Sequence, residues 1–381
     1  MISILSPAWP YRGGIAAFTE RLSHQLQAEG HEVRIYTFTL QYPGFLFPGK
    51  TQYSEEPAPT DLSIERRLSS VNPLTWISLG RTIAKETPDL LILAYWMPFM
   101  APSMGTVARL ARRNRQTRVI ALCHNLIPHE HRPGDRWLTR WLLGSVDGVM
   151  SLSQSVCDDV HSLCPQMPTM ASLHPVYDNF GQPVTREEAC RHLGLDPHVR
   201  YLLFFGLIRG YKGLDWLLEA LSRSRAVKDG LCRLIIAGEF YSGEQEYRAM
   251  AQQLGVDAAI EWRTTFIPDS EVRHYFSASD VVVQPYKTAT QSGVTQIAYH
   301  FQRPMIVTRV GGLPEIVPDG KVGYVVDPAP TAIASAIDRF ILEQPDFTQG
   351  LAEERKRYAW DVFSDKLSAL YATIVASSGK K

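Results

Sequence analysis

The chain has no net charge, because its 39 lysines and arginines balance 39 aspartates and glutamates over 381 residues. Without an excess of one sign there is no overall field to draw a polyanion, so no nucleic-acid partner is expected and any basic character that matters is local. Cysteine is scarce and odd in number: Cys123, Cys157, Cys164, Cys190 and Cys232. None forms a C-x-x-C pair and no histidines follow at zinc-finger spacing, which excludes a disulfide framework and a structural zinc module; they read as buried thiols in a reducing compartment. Long apolar runs are also lacking. The longest uncharged stretch, Leu90 to Ala108, is broken by Pro98, Pro102 and polar residues, short of the roughly 20 apolar residues a spanning helix needs. Met1 leads into the short apolar run Ile2 to Leu5 without the basic start or length of a secretory signal, so a cytoplasmic location is expected. There is no internal repeat at solenoid periods and no low-complexity segment.

Short apolar runs alternating with amphipathic segments are what the sequence has instead. Ile2–Leu5, Ile15–Glu29, Val33–Thr37, Leu90–Ala94, Thr106–Arg113 and Arg118–Leu122 make one series. A second begins near Arg200, with Tyr201–Phe205, Leu214–Ser224, Cys232–Ala237, Glu244–Gln253, Ile260–Trp262 and Val281–Gln284. Strand-helix alternation of this kind implies parallel βαβ units, and its restart implies two domains, in keeping with a length of roughly 150 residues per domain. The fold class is α/β: two Rossmann-like, doubly wound parallel-sheet domains facing each other across a cleft. The polar, Pro- and Gly-containing stretch Leu173 to Asp196 suits the linker. We place the domains at 1–175 and 176–355, with 356–381 a C-terminal helix able to pack back on the first.

In open parallel sheets ligands bind beyond the carboxyl ends of the strands, where helix N-termini offer backbone N–H groups to anions. That rule selects four places. After the first strand, Gly13 and Gly14 precede a helix. After Phe205 come Gly206, Arg209, Lys212 and Gly213, and two cations beside exposed amides suit a diphosphate. After Gln284, the hydroxyl-rich loop Thr288 to Gln296 runs into the helical pattern Ile297–Phe301, a second anion cradle. His124 follows the run ending at Cys123 and so lies at a strand's carboxyl end. His129 and His131, around Glu130, invite a metal reading but have no third ligand at plausible spacing, and no metal site is expected.

Taken together, these loops resemble the retaining glycosyltransferases of family 4, of GT-B architecture. The resemblance runs through Arg12-Gly13-Gly14-Ile15, Gly206 with Arg209-x-x-Lys212-Gly213, Ala237-Gly238-Glu239, and Pro285 to Pro328; its most specific part is the segment Pro304 to Gly323. It implies a metal-independent transferase using no cofactor, with a nucleotide-diphosphate sugar (UDP- or GDP-linked) as donor and a glycan or lipid-linked acceptor, in cell-surface polysaccharide or lipopolysaccharide synthesis. The first domain would bind acceptor and the second the nucleotide sugar. Arg209 and Lys212 would hold the diphosphate and stabilise the charge of the leaving group. Gly206, Gly238, Gln291, Ser292, Gly293, Val294, Thr295 and Gln296 would line the donor, Gly13 and Gly14 would approach the same phosphate, and His124 would orient the sugar or acceptor.

One departure stands out. The family's pair of glutamates, with seven residues between them, falls by count on Ala289 and Ile297, with Gln291 and Gln296 the nearest polar residues; a glutamine can bond a ribose hydroxyl, but without the strength that charge gives. A sugar-nucleotide epimerase of the same architecture and a non-catalytic nucleotide-sugar-binding protein are the alternative functions. Arg109, Arg112, Arg113, Arg115 and Arg118, followed by Trp137 and Trp141 in Asp135 to Leu143, offer either a solvated helix face or a peripheral contact with the inner face of a membrane.

Overall fold

A computed structural model describes residues 1–43, 51–54, 56–126, 133–289 and 292–378. The chain divides into two compact units: residues 1–175 together with the segment from Ala359 onward, and Val176–Tyr358.

The first unit holds a seven-stranded parallel sheet: β1 (Ile2–Leu5), β2 (Val33–Leu40), β3 (Ser63–Ser69), β4 (Leu90–Tyr95), β5 (Arg118–Cys123), β6 (Gly148–Ser151) and β7 (Thr169–Ala171), in the order 3-2-1-4-5-6-7. All six residues of β4, Leu-Leu-Ile-Leu-Ala-Tyr, are buried. A strand covered on both faces by helices has no solvent side, so it reads as an unbroken apolar run. The terminal helix, Trp360–Ser378, belongs to this unit: it packs on helix Gly14–Ala28 and on β5, β6 and β7. Its buried Phe363, Leu367, Leu370 and Ile374 recur at the helical period. Ile374 Cδ1 lies 2.6 Å from where a Cβ on Gly148 would stand, which explains a glycine at the start of β6.

The second unit repeats the plan with six parallel strands: β8 (Arg200–Phe205), β9 (Cys232–Ala237), β10 (Ile260–Arg263), β11 (Val281–Gln284), β12 (Met305–Thr308) and β13 (Gly323–Val326), in the order 10-9-8-11-12-13. Strand order reverses between β1 and β4 in one unit and between β8 and β11 in the other. At such a switch point neighbouring strands send their connections to opposite faces, opening a crevice at their carboxyl ends.

An ion pair anchors the start of the second sheet. Arg186, first residue of helix Arg186–Leu193, meets Asp280 through two bonds of 3.1 Å, Nη1 to Oδ1 and Nη2 to Oδ2. Arg186 also donates to the carbonyls of Pro197 (2.9 Å) and Val199 (2.7 Å), while Asp280 accepts from the Tyr201 backbone N–H (2.7 Å). Both side chains are about a quarter exposed, so screening takes part of the value of each charged bond. Asp280→Ala removes three acceptor contacts and is expected to destabilise the protein by about 2–3 kcal/mol, read as a lower urea midpoint; an unchanged midpoint would show that Arg186 is satisfied by water.

Candidate active site

β8 ends at Phe205 and the chain turns at Gly206, whose φ of 91° favours glycine. A short 3₁₀ turn, Gly210–Lys212, leads through Gly213 into helix Leu214–Arg223. Lys212 is buried beneath this turn. Its Nζ lies 3.5 Å from the Phe205 carbonyl oxygen, 5.8 Å from the centroid of the Tyr286 ring, and 3.1 Å from where a Cβ on Gly206 would stand. Any side chain at Gly206 would press on the ammonium. Burial pushes the Lys212 pKa down to about 8, and the like charge of Arg209 adds to the shift. Arg209 itself is exposed and lies over the Tyr241 ring, 4.5 Å from its centroid.

Backbone crowding fixes the adjoining loops against this turn. A Cβ on Gly213 (φ 71°) would stand 1.9 Å from the Pro285 carbonyl oxygen, just beyond β11, and one on Gly311 (φ 50°) would stand 1.4 Å from that of Ala289. The Lys287 N–H donates to the Tyr211 carbonyl (2.7 Å), the Lys287 ammonium pairs with Asp215, and Thr308 Oγ1 donates to the Tyr286 carbonyl. Gly238 serves the same closeness: with φ 143°, a Cβ there would meet the Gly206 carbonyl oxygen at 2.3 Å.

Helix Gly293–His300 opens beside them. Ser292 stands at its N-cap, but its hydroxyl makes no cap bond; it donates to Gln284 Oε1 instead and lies 3.4 Å from the Tyr286 hydroxyl. Ser292 therefore leaves the first turn, which carries Gly293, Val294 and Thr295, without a side-chain cap of its own, and Thr295 Oγ1 donates to the Ser292 carbonyl. Tyr177 backs the turn: its ring carbon Cε2 is 3.0 Å from where a Cβ on Gly293 would stand. Deeper in, the Gln284 Nε2 and both amide atoms of the fully buried Gln296 have no hydrogen-bond partner. Gln291 lies outside the described residues, as do His129, Glu130 and His131.

The second unit thus brings together Gly206, Arg209, Lys212, Gly238 and the helix start at Ser292 to Gln296. Sequence reasoning missed Tyr177, Gln284 and Tyr286. Tyr286 and Gln284 flank the end of β11 and were within reach of the strand-end rule; Tyr177 sits in a stretch that reads as linker.

In the first unit, Gly13 (φ 113°) is the N-cap of helix Gly14–Ala28 and provides no side-chain cap. His124 follows β5, its N–H donating to the Tyr95 carbonyl (2.9 Å). Its ring meets Phe18 edge-on, with centroids 5.1 Å apart, and Phe18 in turn packs on His174, Trp360 and Phe363. Burial, with His174 adding, pushes the His124 pKa down to about 3, so the imidazole is neutral at pH 7; its Nε2 has no partner. Such a ring can orient a hydroxyl but brings no positive charge. Two arginines of the basic cluster are engaged: Arg109 lies 3.5 Å from the centroid of the Trp141 ring and bonds Ser145, and Arg112 pairs with Asp147 at 2.6 Å. Arg112, Arg115 and Arg118 line a cavity at the amino end of β5, opposite the strand ends considered above.

A family model described as glycosyl transferase 4-like domain matches residues 13–168, and one described as glycosyl transferases group 1 matches residues 199–343. Glycosyl transferase models thus match both units of the chain, which has the GT-B fold. The chain is 29% identical over 206 residues to D-inositol 3-phosphate glycosyltransferase of Corynebacterium glutamicum, a match taking in 52% of this chain and 49% of that protein. The chain spans about half the length of the curated relatives it matches. Among solved structures, sucrose-phosphate synthase of Thermosynechococcus elongatus superposes with a TM-score of 0.72 at 19% identity, over 99% of both chains. The Anabaena HepE protein in complex with UDP and glucose does so with a TM-score of 0.70 at 14% identity, over 98% of this chain and 99% of that one.

A buried ammonium with a like-charged neighbour works against the fold that holds it. The Lys212 pKa is lower in the folded chain, about 8, than its ordinary 10.5, so between those values the unfolded chain binds more protons and stability rises with pH; below about 7 both states are protonated and the penalty is present in full. Lys212→Met is therefore expected to raise stability at pH 7 by up to roughly 3 kcal/mol and to remove the wild-type gain between pH 8 and 10.5. Urea midpoints of both proteins across that range test it; parallel curves would show that water already solvates the ammonium.

Proposed function

We propose that this glycosyltransferase binds a nucleotide-diphosphate sugar at the Lys212 site and transfers the sugar, with retention of anomeric configuration and without a metal, to a glycan or lipid-linked acceptor in cell-surface polysaccharide or lipopolysaccharide synthesis. The observation that carries the reading is Lys212 itself, a cation buried against a carbonyl oxygen, an aromatic face and a second cation. A bound dianion supplies the missing counter-charge. As the glycosidic bond to the diphosphate breaks, negative charge grows on the departing oxygen, and Lys212, Arg209 and the N–H groups opening helix Gly293–His300 stabilise it more than they stabilise the intact donor. The donor role of Gln296 rests on its unpartnered amide. We assign Gly13, Gly14 and neutral His124 to positioning the reacting sugar or acceptor. UDP in the Anabaena structure of the same fold makes a uridine donor the first to try.

Thermal unfolding with UDP, GDP, ADP and CMP, each with magnesium or with EDTA, tests this reading. One diphosphate at about 100 times its dissociation constant should add about 2.7 kcal/mol of stability, several degrees in midpoint, equally with EDTA. The Arg209→Ala/Lys212→Ala double variant should lose the shift. No shift with any nucleotide, or an equal shift in the variant, would overturn the assignment; a shift that needs magnesium would overturn metal independence. Anomeric NMR of the transfer product decides retention.

We extend the proposal to peripheral contact with the inner face of an anionic membrane. Trp137 is 67% exposed beside exposed Arg136 and Arg140 on helix Asp135–Leu143, and among the described residues no helix is long and apolar enough to cross a membrane. Co-sedimentation with phosphatidylserine vesicles should fall with salt and in Trp137→Ala; no pelleting at low salt would sink the extension.

A further inference from the structure

Helices Arg186–Leu193 and Asp269–Ala278 pack side by side in the second unit. Where they touch, His192, Glu271 and His274 each bring a ligand-type atom to within 4.8 Å of the others. Glu271 and His274 are three apart on one helix and so share a face; His192 reaches them from the other. His192 Nε2 is 2.6 Å from Glu271 Oε2, and the two imidazole rings lie 3.9 Å apart at 16°.

His274 is the feature that needs explaining. It is only 5% exposed, and its Nδ1 has no hydrogen-bond partner, whereas buried polar atoms are nearly always satisfied. A metal ion would satisfy this atom, since it binds a neutral ring through a nitrogen lone pair.

We propose that His192, Glu271 and His274 bind one divalent transition-metal ion of the zinc class, tying helix Arg186–Leu193 to helix Asp269–Ala278. Two imidazoles and a carboxylate suit Zn²⁺, Co²⁺ or Ni²⁺ in a tetrahedral set completed by water, and do not suit Mg²⁺ or Ca²⁺, which take oxygen ligands. Loading breaks the hydrogen bond between His192 Nε2 and Glu271, the imidazole carrying its proton on Nδ1 instead after exchange with water, and tilts His192 out of the stack so that the Nε2 lone pair meets the ion. That ring is exposed and able to turn, while His274 is held by burial. None of the three residues belongs to the loops around Lys212, so the ion is a tie between helices and the diphosphate chemistry proposed above does not pass through it.

The test uses the full chain without an affinity tag. Titration with Co²⁺, followed by visible absorption, and with Zn²⁺, followed by calorimetry, should show one ion per chain, and Zn²⁺ should raise the thermal midpoint. His192→Ala and Glu271→Gln alter partly exposed side chains and are expected to keep the wild-type circular dichroism. Each should weaken binding by about tenfold or more and abolish the midpoint gain. An absence of binding below about 0.1 mM, or equal binding by wild type and both variants, would overturn the proposal, the latter placing the ion on other histidines or thiols.

Discussion

Lys212 carries a charge that the second unit does not balance, and the surrounding architecture is what keeps it there. Alone, such a group would swing into water; the Phe205 carbonyl oxygen, the Tyr286 face and the tight turn of Gly206 leave it no easy exit. The price is a destabilised ground state, which the proposed diphosphate ligand would relieve. The strand order does the rest: β8 and β11 are neighbours at the reversal point, so the turn carrying Lys212 and the loop carrying Tyr286 arise side by side from the topology.

Closeness at that point is enforced by backbone. Gly206 and Gly238 touch across β8 and β9, Gly213 touches Pro285 beyond β11, and Gly311 touches Ala289 beyond β12. With no Cβ at these positions, four neighbouring strand ends crowd into one rigid rim, and the cations and helix start set on that rim inherit its precision. The electrostatics depend on glycines that never need to meet a ligand.

Much of this was legible in sequence, for identifiable reasons. Strands buried on both faces, such as β4 and β8, announce themselves as apolar runs, and their helix partners as amphipathic ones, so the restart near Arg200 and the two parallel sheets follow. β3, Ser-Ile-Glu-Arg-Arg-Leu-Ser at the sheet edge, was not read, because an edge strand carries polar residues and lacks that run. β7 is only three residues long and half-buried. In the site, the strand-end rule found Arg209, Lys212 and the helix start near Gly293, since each depends on chain position alone. Tyr177 escaped because its role comes from the return of a linker onto Gly293. His124 was found by address, but its neutrality comes from burial beside His174 and Phe18, and contacts distant in sequence leave no mark on the local pattern.

The absent glutamates can be weighed in the same terms. Ile297, the position matching the family's second carboxylate, is 6% exposed on helix Gly293–His300, and Ala289 carries its carbonyl into contact range of Gly311. A carboxylate at 297 would have to be desolvated, and its charge would need a bound partner to offset that cost. Isoleucine removes the requirement and packs instead. What is left on that helix is Gln296, fully buried with an unpartnered amide. An amide offers both donor and acceptor but no charge, so it orders a hydroxyl without gripping it. In the proposed reading the balance of affinity thus moves from the ribose hydroxyls of a bound donor to its diphosphate, where Lys212 and Arg209 would carry the charge.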